Sequence, residues 1–156
     1  MRGSKRDHDD WARYLNDTGW GWASMLEYFK KSETFTPPIE SFREQGNVTW
    51  DMSVRGTSGP IQVTYPQQFV ASIKYLLAAE KALGYPTKQD QAGGDPVGST
   101  WQPMSVHPKT YTRSYSKRDH FDPARKRPNL QLLADTTVTR ILFEDKTAVG
   151  VEVCHT

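Results

Sequence analysis

The sequence predicts an α+β fold, with helices and strands concentrated in different stretches of the chain. Three observations lead to this prediction. Apolar residues recur at helical spacing near the N-terminus and again over residues 69–83, residues 61–65 alternate as a half-buried strand does, and short apolar runs follow residue 128. With 36% hydrophobic and 12% aromatic residues, a chain of 156 residues can bury the core of one domain.

The first helix is predicted at residues 5–15. Ser4 and Asp7 have the spacing of a capping box, in which the two side chains bond free backbone N–H groups of the first turn. Three bulky residues then fall on one helix face: His8, Trp11 and Leu15. The pentapeptide SKRDH of residues 4–8 recurs at residues 116–120, and we interpret both copies as helix starts because each has the capping-box spacing. The flanking sequences differ, so the two copies do not indicate a true repeat.

A second helix is predicted after the Gly-Trp-Gly-Trp turn of residues 19–22. Its apolar residues stand at positions i, i+3, i+4 and i+7: Trp22, Met25, Leu26 and Phe29. Lys30 and Lys31 lie in the last turn, where the helix dipole favours cations. Because aromatic rings carry a large apolar area, we expect one face of this helix pair to be a packing surface: Trp11, Trp22, Met25 and Phe29.

The middle of the chain is predicted to contain one strand and one long helix. Residues 55–60 (RGTSGP) have turn composition, and residues 61–65 (IQVTY) alternate as a strand. A helix over residues 69–83 is predicted from its apolar positions and from the stop signal of residues 84–86 (GYP). Residues 39–50 are mixed in character and carry no prediction.

The C-terminal part is predicted to be mostly strands and loops. Residues 89–98 (QDQAGGDPVG) have loop composition, residues 100–106 are a strand candidate anchored by Trp101, and a short helix ends near Phe121. Three more strand candidates follow: residues 130–133, 138–143 and 148–153. The last two are separated by a connection of hairpin length, so we expect them to pair.

The net charge limits the classes of binding partner, and the cysteine count excludes one kind of covalent link. The 20 basic and 18 acidic residues leave a net charge of +2, too small to indicate a nucleic acid or a membrane. The single cysteine, Cys154, excludes an intrachain disulfide. No apolar run approaches the ~20 residues of a membrane-spanning helix, and the charged first residues do not have the pattern of a signal peptide.

No self-contained catalytic motif is found in the sequence. Gly93, Gly98, Ser99 and Thr100 superficially resemble a Walker loop, but serine stands where the phosphate-binding lysine belongs. Neither G-x-G-x-x-G nor G-x-S-x-G occurs, and the four histidines do not have metal-site spacing. The basic run of residues 125–127 has no interleaved aromatic residues, which favours an exposed turn over a nucleic-acid site.

Several stretches, taken in order, resemble one known family. They are residues 2–12 (RGSKRDHDDWA), 19–22 (GWGW), 28–33 (YFKKSE), 56–61 (GTSGPI), 84–86 (GYP), 113–114 (RS), 122–124 (DPA), 127–130 (RPNL), 137–143 (TVTRILF) and 148–152 (AVGVE). This ordered set resembles the glucose–methanol–choline (GMC) flavoprotein oxidoreductases, and the resemblance covers essentially the whole chain.

The resemblance implies a place for each part of the chain. Residues 1–36 would form an edge of the FAD-binding domain, residues 37–113 part of the substrate-binding cap, and residues 114–156 a helix and strands returning to the FAD-binding domain. It implies FAD as cofactor and a small-molecule alcohol as substrate, with hydride passing to the flavin and electrons then to oxygen or another acceptor. Val138 matches a valine whose backbone meets the adenine end of FAD. Three further residues are expected near the flavin: Arg2, Gly3 and Ser4.

The same resemblance implies an incomplete, two-part piece of such an enzyme. The family's G-x-G-x-x-G unit, flavin-facing asparagine segment and catalytic histidine have no counterpart in this sequence. We therefore expect no catalytic residue here, no tight retention of FAD and no turnover by this chain alone, together with unpaired strand edges near residues 138–153. Two alternatives stay open: a lyase or cyclase that keeps the flavin, and a non-enzymatic module.

Overall fold

The computed structural model describes residues 2–88 and 90–155 and separates them into two compact units, Met1–Phe121 and Asp122–Thr156. Helices and short strands share the first unit, and a hairpin dominates the second. The predicted α+β class is therefore confirmed. Among the described residues, no helix is long and apolar enough to cross a membrane.

Helix α1 (Lys5–Leu15) has the bounds predicted from the sequence. The Ser4 hydroxyl accepts a hydrogen bond from the Asp7 backbone N–H at 3.0 Å, and the Asp7 carboxylate accepts one from the Ser4 N–H at 3.2 Å. This reciprocal pair is the predicted capping box. The helix ends at Asn16, which adopts the left-handed conformation with φ of 52°.

Helix α2 (Trp22–Ser32) follows a single 3₁₀ turn (Thr18–Trp20). The Asp9 carboxylate of α1 accepts a hydrogen bond from the Trp22 N–H at 3.0 Å, which joins the start of α2 to α1. The predicted aromatic face divides into two parts. The Trp22 side chain is buried and contacts His8 and Phe29, whereas Trp11 is 58% exposed.

Strands β1 (Glu33–Phe35) and β2 (Ile61–Val63) form a parallel pair at the end of α2. The predicted strand 61–65 is thus shorter than expected, because Thr64 turns to a separate bridge with Met104. It is also more deeply buried than the alternating pattern predicted. The predicted turn before it requires glycine, since a Cβ at Gly56 would overlap the carbonyl oxygen of Lys30.

The hydrophobic core of the first unit lies beside this strand pair. Helix α3 (Glu40–Gly46), in the region without a prediction, contributes Phe42, which is 1% exposed. The remaining buried core residues are Phe35, Val48, Val63 and Tyr65. Trp101 packs against this cluster and donates a hydrogen bond from Nε1 to the Gly46 carbonyl at 2.8 Å. Trp101 therefore anchors its segment to the core, and not the strand that was predicted there.

The strand predicted over residues 100–106 is wrong. Within the described residues this segment forms only isolated bridges, Met104 with Thr64 and Val106 with Arg113. Single residues of this segment therefore pair with other segments, and no continuous ladder of backbone hydrogen bonds forms along its described residues.

Helix α4 (Ala71–Ala82) confirms the long predicted helix, and Gly84 follows it with φ of +87°. Phe69 lies just before the helix and packs on Phe42. The loop predicted over residues 89–98 is confirmed for its described part, which includes one 3₁₀ turn (Gln91–Gly93). Gln89 lies outside the described residues.

The helix predicted to end near Phe121 is a π-helical turn (Lys117–Phe121) at the end of the first unit. It contains most of the second SKRDH copy. Asp119 of this copy accepts a hydrogen bond from the Ser114 hydroxyl, whereas Asp7 of the first copy bonds Ser4. Both copies lie at helix starts, as interpreted from the sequence, but the capping box forms at the first copy, whereas Asp119 of the second copy bonds a serine outside it.

The second unit consists of a short helix, α5 (Asp122–Ala124), and an antiparallel hairpin of β3 (Thr136–Glu144) and β4 (Thr147–His155). The predicted pairing is confirmed, with strands longer than expected. Residues 130–133 form no strand, so that prediction is wrong. In the described part of the chain, β3 and β4 form a two-stranded sheet, so each of these strands has one unpaired edge. The large apolar side chains of the hairpin are exposed.

Candidate functional site

A cavity of about 260 Å³ in the first unit is the candidate functional site. Arg2 and Gly3 line it together with the end of α2, and Glu33 and Arg55 supply buried charge. Apolar side chains of β2 and of the loop after α4 complete the wall: Ile61, Val63, Ala92 and Pro96. A partly apolar cavity with a few convergent polar groups is the usual form of a small-molecule site.

The Arg2 side chain is the first component of the charge network behind this cavity. Its guanidinium donates to the carbonyl oxygens of Val54 at 2.5 Å and Ala92 at 3.0 Å, and to Glu33 Oε1 at 2.8 Å. It also lies over the Phe29 ring, 5.4 Å from the centroid. Arg2 thereby joins the N-terminal segment before α1 to three segments distant in sequence.

Glu33 and Asp90 compensate the second buried arginine. Arg55 donates from Nε and Nη2 to the two oxygens of Asp90, at 2.8 and 2.6 Å, and its Nη1 lies 3.8 Å from Glu33 Oε1. The same Glu33 oxygen accepts the backbone N–H of Gly56 at 3.1 Å. Two cations and two anions thus balance in a region sheltered from water, where unpaired charge is costly.

Burial shifts the pKa values of two side chains in the first unit, Arg2 and Tyr65. Desolvation lowers the pKa of the Arg2 guanidinium, while the nearby Glu33 carboxylate opposes that effect. Burial likewise raises the pKa of the Tyr65 hydroxyl to about 12, and the Asp90 charge acts in the same direction. Both shifts have the sign expected when water is removed from the charged form.

Comparison with known proteins decides the family. The family model described as GMC oxidoreductase matches residues 1–156. The chain belongs to the GMC oxidoreductase family. The resemblance inferred from the ordered motifs is therefore confirmed, and with it an FAD-dependent oxidoreductase family.

Individual relatives of this GMC chain agree with the family match. The dehydrogenase xptC of Emericella nidulans is 43% identical over 152 residues, which is 97% of this chain and 24% of that protein. An FAD-dependent oxidoreductase from Chaetomium thermophilum superposes with a TM-score of 0.93 at 41% identity, covering 99% of this chain and 26% of that one. A fungal aryl-alcohol oxidase superposes with a TM-score of 0.88 at 31% sequence identity, covering 99% of this chain and 27% of that one. The GMC chain therefore spans about a quarter of the length of these relatives.

The sequence-predicted cofactor residues of the GMC chain fall in different places. Arg2 and Gly3 line the cavity, whereas Ser4 caps α1 and borders a separate shallow groove along that helix. Val138 lies on β3 of the second unit, opposite Val153, and is 54% exposed. Their contact with FAD stays a prediction.

The sequence did not reveal the other charged residues of the site. Arg55 and Asp90 belong to no quoted motif, and Glu33 ends the YFKKSE stretch without any sign there of a buried ion pair; the partners of these residues lie between 22 and 35 residues away. The spacing rules for local structure carry no information about such distant pairs. Within the described residues, no group of three metal-ligating side chains is found.

One buried polar atom near the cavity lacks a hydrogen-bond partner in the described structure, namely His8 Nε2. A Cβ at Gly3 would lie 3.0 Å from it, so glycine leaves room for the imidazole. The His8 ring packs between aromatic neighbours, with ring centroids 5.7 Å from Trp22 and 5.5 Å from Phe29. These aromatic contacts explain the position of the His8 ring, and they do not indicate a ligand for it.

Proposed function

We propose that this chain is part of an FAD-dependent oxidoreductase that oxidises the CH–OH group of an alcohol. The observation that supports this proposal is the match of the whole chain, in sequence and in fold, to GMC flavoenzymes. In this reaction FAD supplies the hydride acceptor, and the electrons pass on to oxygen or another acceptor.

The contribution of this chain to that enzyme is structural. The buried network of Arg2, Glu33, Arg55 and Asp90 holds the start of α1 against β1 and the loop after α4. Arg2 and Gly3 are thereby fixed at the cavity surface, and Gly3 has no side chain to block a neighbouring group. We propose that residues 1–36 and 114–156 belong to the FAD-binding domain and residues 37–113 to the cap.

The cavity beside Arg2 is too small to enclose an FAD molecule. The cavity of about 260 Å³ is smaller than the roughly 300–1,000 Å³ of pockets that hold drug-sized ligands. The guanidinium of Arg2 is engaged by protein groups and is only 9% exposed. We therefore propose that the chain by itself retains no FAD and does not oxidise alcohols.

A hybrid enzyme tests the proposed function directly. Residues 2–155 replace the matching segment of the fungal aryl-alcohol oxidase, which is 31% identical and has the same fold there. We expect the hybrid to purify with bound flavin and to lose flavin absorbance when an aryl alcohol is added without oxygen. The parent oxidase is the positive control. A hybrid that is folded by circular dichroism but carries no reducible flavin would contradict the proposal.

A further inference from the structure

A second cavity, of about 220 Å³, lies between α4 and the loops around residues 46–49, 87–88 and 99–101. From α4 it is lined by Lys74, Leu77, Ala78 and Lys81, and from the loops by Trp101 among others. We propose that this cavity binds a small aromatic carboxylate. This cavity shares no lining residue with the candidate functional site beside Arg2 and Arg55.

Positive charge exceeds negative charge at this cavity, since among the described residues two lysines without an ion pair face a single nearby carboxylate, that of Glu80, which accepts a hydrogen bond from the lining Ser99 hydroxyl. Lys74 and Lys81 stand seven residues apart, two turns along one face of α4. In the part of the chain that the structure describes, neither ammonium group has an ion-pair partner, and no carboxylate lines the cavity. Lys88, the third lysine of the lining, is neutralised by Asp95. The cavity therefore favours an anion.

The wall beside these lysines is apolar and fixed in place. The Trp101 indole N–H is already used by the Gly46 carbonyl at 2.8 Å, and the ring packs on Phe42 with centroids 5.1 Å apart. Leu77 and Ala78 extend this apolar surface along α4. Because the indole N–H is occupied, Trp101 offers the ligand an apolar ring surface and not a hydrogen-bond donor.

The loops that form the remaining wall are held by backbone hydrogen bonds. The Lys88 N–H donates to the Ser99 carbonyl, and the Ser99 N–H donates to the Pro86 carbonyl, both at 2.9 Å. Gly98 permits this close approach with φ of +119°, since a Cβ there would overlap the Pro86 oxygen. The cavity is therefore built before any ligand arrives, which reduces the entropy lost on binding.

Size and chemistry together select the class of ligand. A volume of about 220 Å³ lies below that of drug-sized pockets, which limits the ligand to about one ring. Two lysines are suited to a carboxylate, which they contact as point charges. The hydroxyl groups of Thr87 and Thr100 add hydrogen-bond donors. Benzoate is the simplest molecule with these properties.

Titration of the 156-residue chain with benzoate, followed by NMR, tests the proposal, and benzamide serves as the neutral analogue of the same shape. We expect saturable shifts of the Trp101 indole resonance with benzoate and much weaker binding of benzamide. Lys74→Gln and Lys81→Gln should each raise the Kd for benzoate about threefold, the effect of one partly exposed ion pair. Lys146→Gln, in the hairpin loop, changes the net charge equally and should leave the Kd unchanged.

The outcomes separate loss of binding from loss of folding. A thermal melt of each variant shows whether the first unit is intact, and Lys74→Arg with Lys81→Arg retains the charge and should retain binding. Equal affinity for benzoate and benzamide would overturn the proposal. So would a folded Lys74→Gln, Lys81→Gln double variant that binds benzoate as the parent chain does, or the absence of saturable binding by the parent chain.

Discussion

Arg55 and Asp90 form a buried two-point ion pair across 35 residues of sequence, with nitrogen–oxygen distances of 2.8 and 2.6 Å. Their side chains are 6% and 2% exposed. Asp90 also accepts the Ala92 N–H at 2.9 Å, and Arg55 lies over the Phe35 ring at 4.8 Å from its centroid. The pair therefore fastens the loop after α4 to the strand pair at the core.

Removing one partner of this pair should destabilise the first unit strongly. Arg55→Ala leaves the Asp90 carboxylate buried without its main cation, and we expect a loss of about 3–5 kcal/mol in the free energy of unfolding. Arg13→Ala is the matched control, because Arg13 pairs with Asp10 at the surface with 76% and 47% exposure and should cost at most about 1 kcal/mol. Chemical denaturation of the two variants measures the difference. Equal losses would show that the buried pair does not stabilise the fold.

The capping box of α1 gives a prediction for acid conditions. The hydrogen bonds from Ser4 lower the pKa of the Asp7 carboxyl below its ordinary value of 3.8. Because the folded pKa is the lower one, this stabilisation is present above pH 3.8 and is lost as the pH falls through the lowered pKa. Ser4→Ala should cost about 1 kcal/mol at neutral pH, and the difference from the parent chain should narrow in acid. Thermal melts at several pH values test this, and a difference that widens in acid would refute it.

Tyr65 should make the first unit sensitive to alkali. Its pKa is raised from 10.0 to about 12 by burial, so the folded state favours the protonated hydroxyl. The contribution is complete below pH 10 and is lost as the pH rises toward 12, with a maximum of about 3 kcal/mol. Tyr65→Phe removes this term, so its stability should fall less over the same range. Parallel pH dependences of the two proteins between pH 10 and 12 would contradict the assignment.

Positions 56 and 84 require glycine for different reasons, the first steric and the second conformational. A Cβ at Gly56 would overlap the Lys30 carbonyl and lie 2.5 Å from that of Glu33, so Gly56→Ala should cost more than about 3 kcal/mol. Gly84 has φ of +87° but no atom within 4 Å of such a Cβ. Gly84→Ala should therefore cost only about 1–2 kcal/mol, the penalty of the left-handed conformation. Denaturation of both variants tests the ranking, and a Gly84 variant that is the less stable would reverse it.

The features that were predicted from the sequence are local ones. The capping box fixes the start of α1, the i, i+3, i+4, i+7 stripe identifies α2, and the stop signal ends α4, because in each case the interacting residues are close in the chain. The β3–β4 hairpin was found for the same reason, since only two residues separate its strands.

The features that were missed depend on distant partners. Residues 130–133 are apolar enough for a strand but find no partner strand in the described structure. Helix α3 is short and has a single deeply buried side chain, Phe42, so it shows no period. The ion-pair network joins residues tens of positions apart, and only folding brings Glu33, Arg55 and Asp90 together. Arg2 and Gly3 were expected near the flavin from family resemblance and not from local physics.

The flavin content of the purified 156-residue chain tests the central claim most directly, namely that this chain is a structural segment of an FAD-dependent oxidoreductase and cannot hold the cofactor alone. The chain is incubated with excess FAD and desalted, and its visible absorbance is compared with its protein concentration. We predict a colourless protein with a flavin-to-protein ratio near zero. A yellow protein that carries one flavin per chain would contradict the claim.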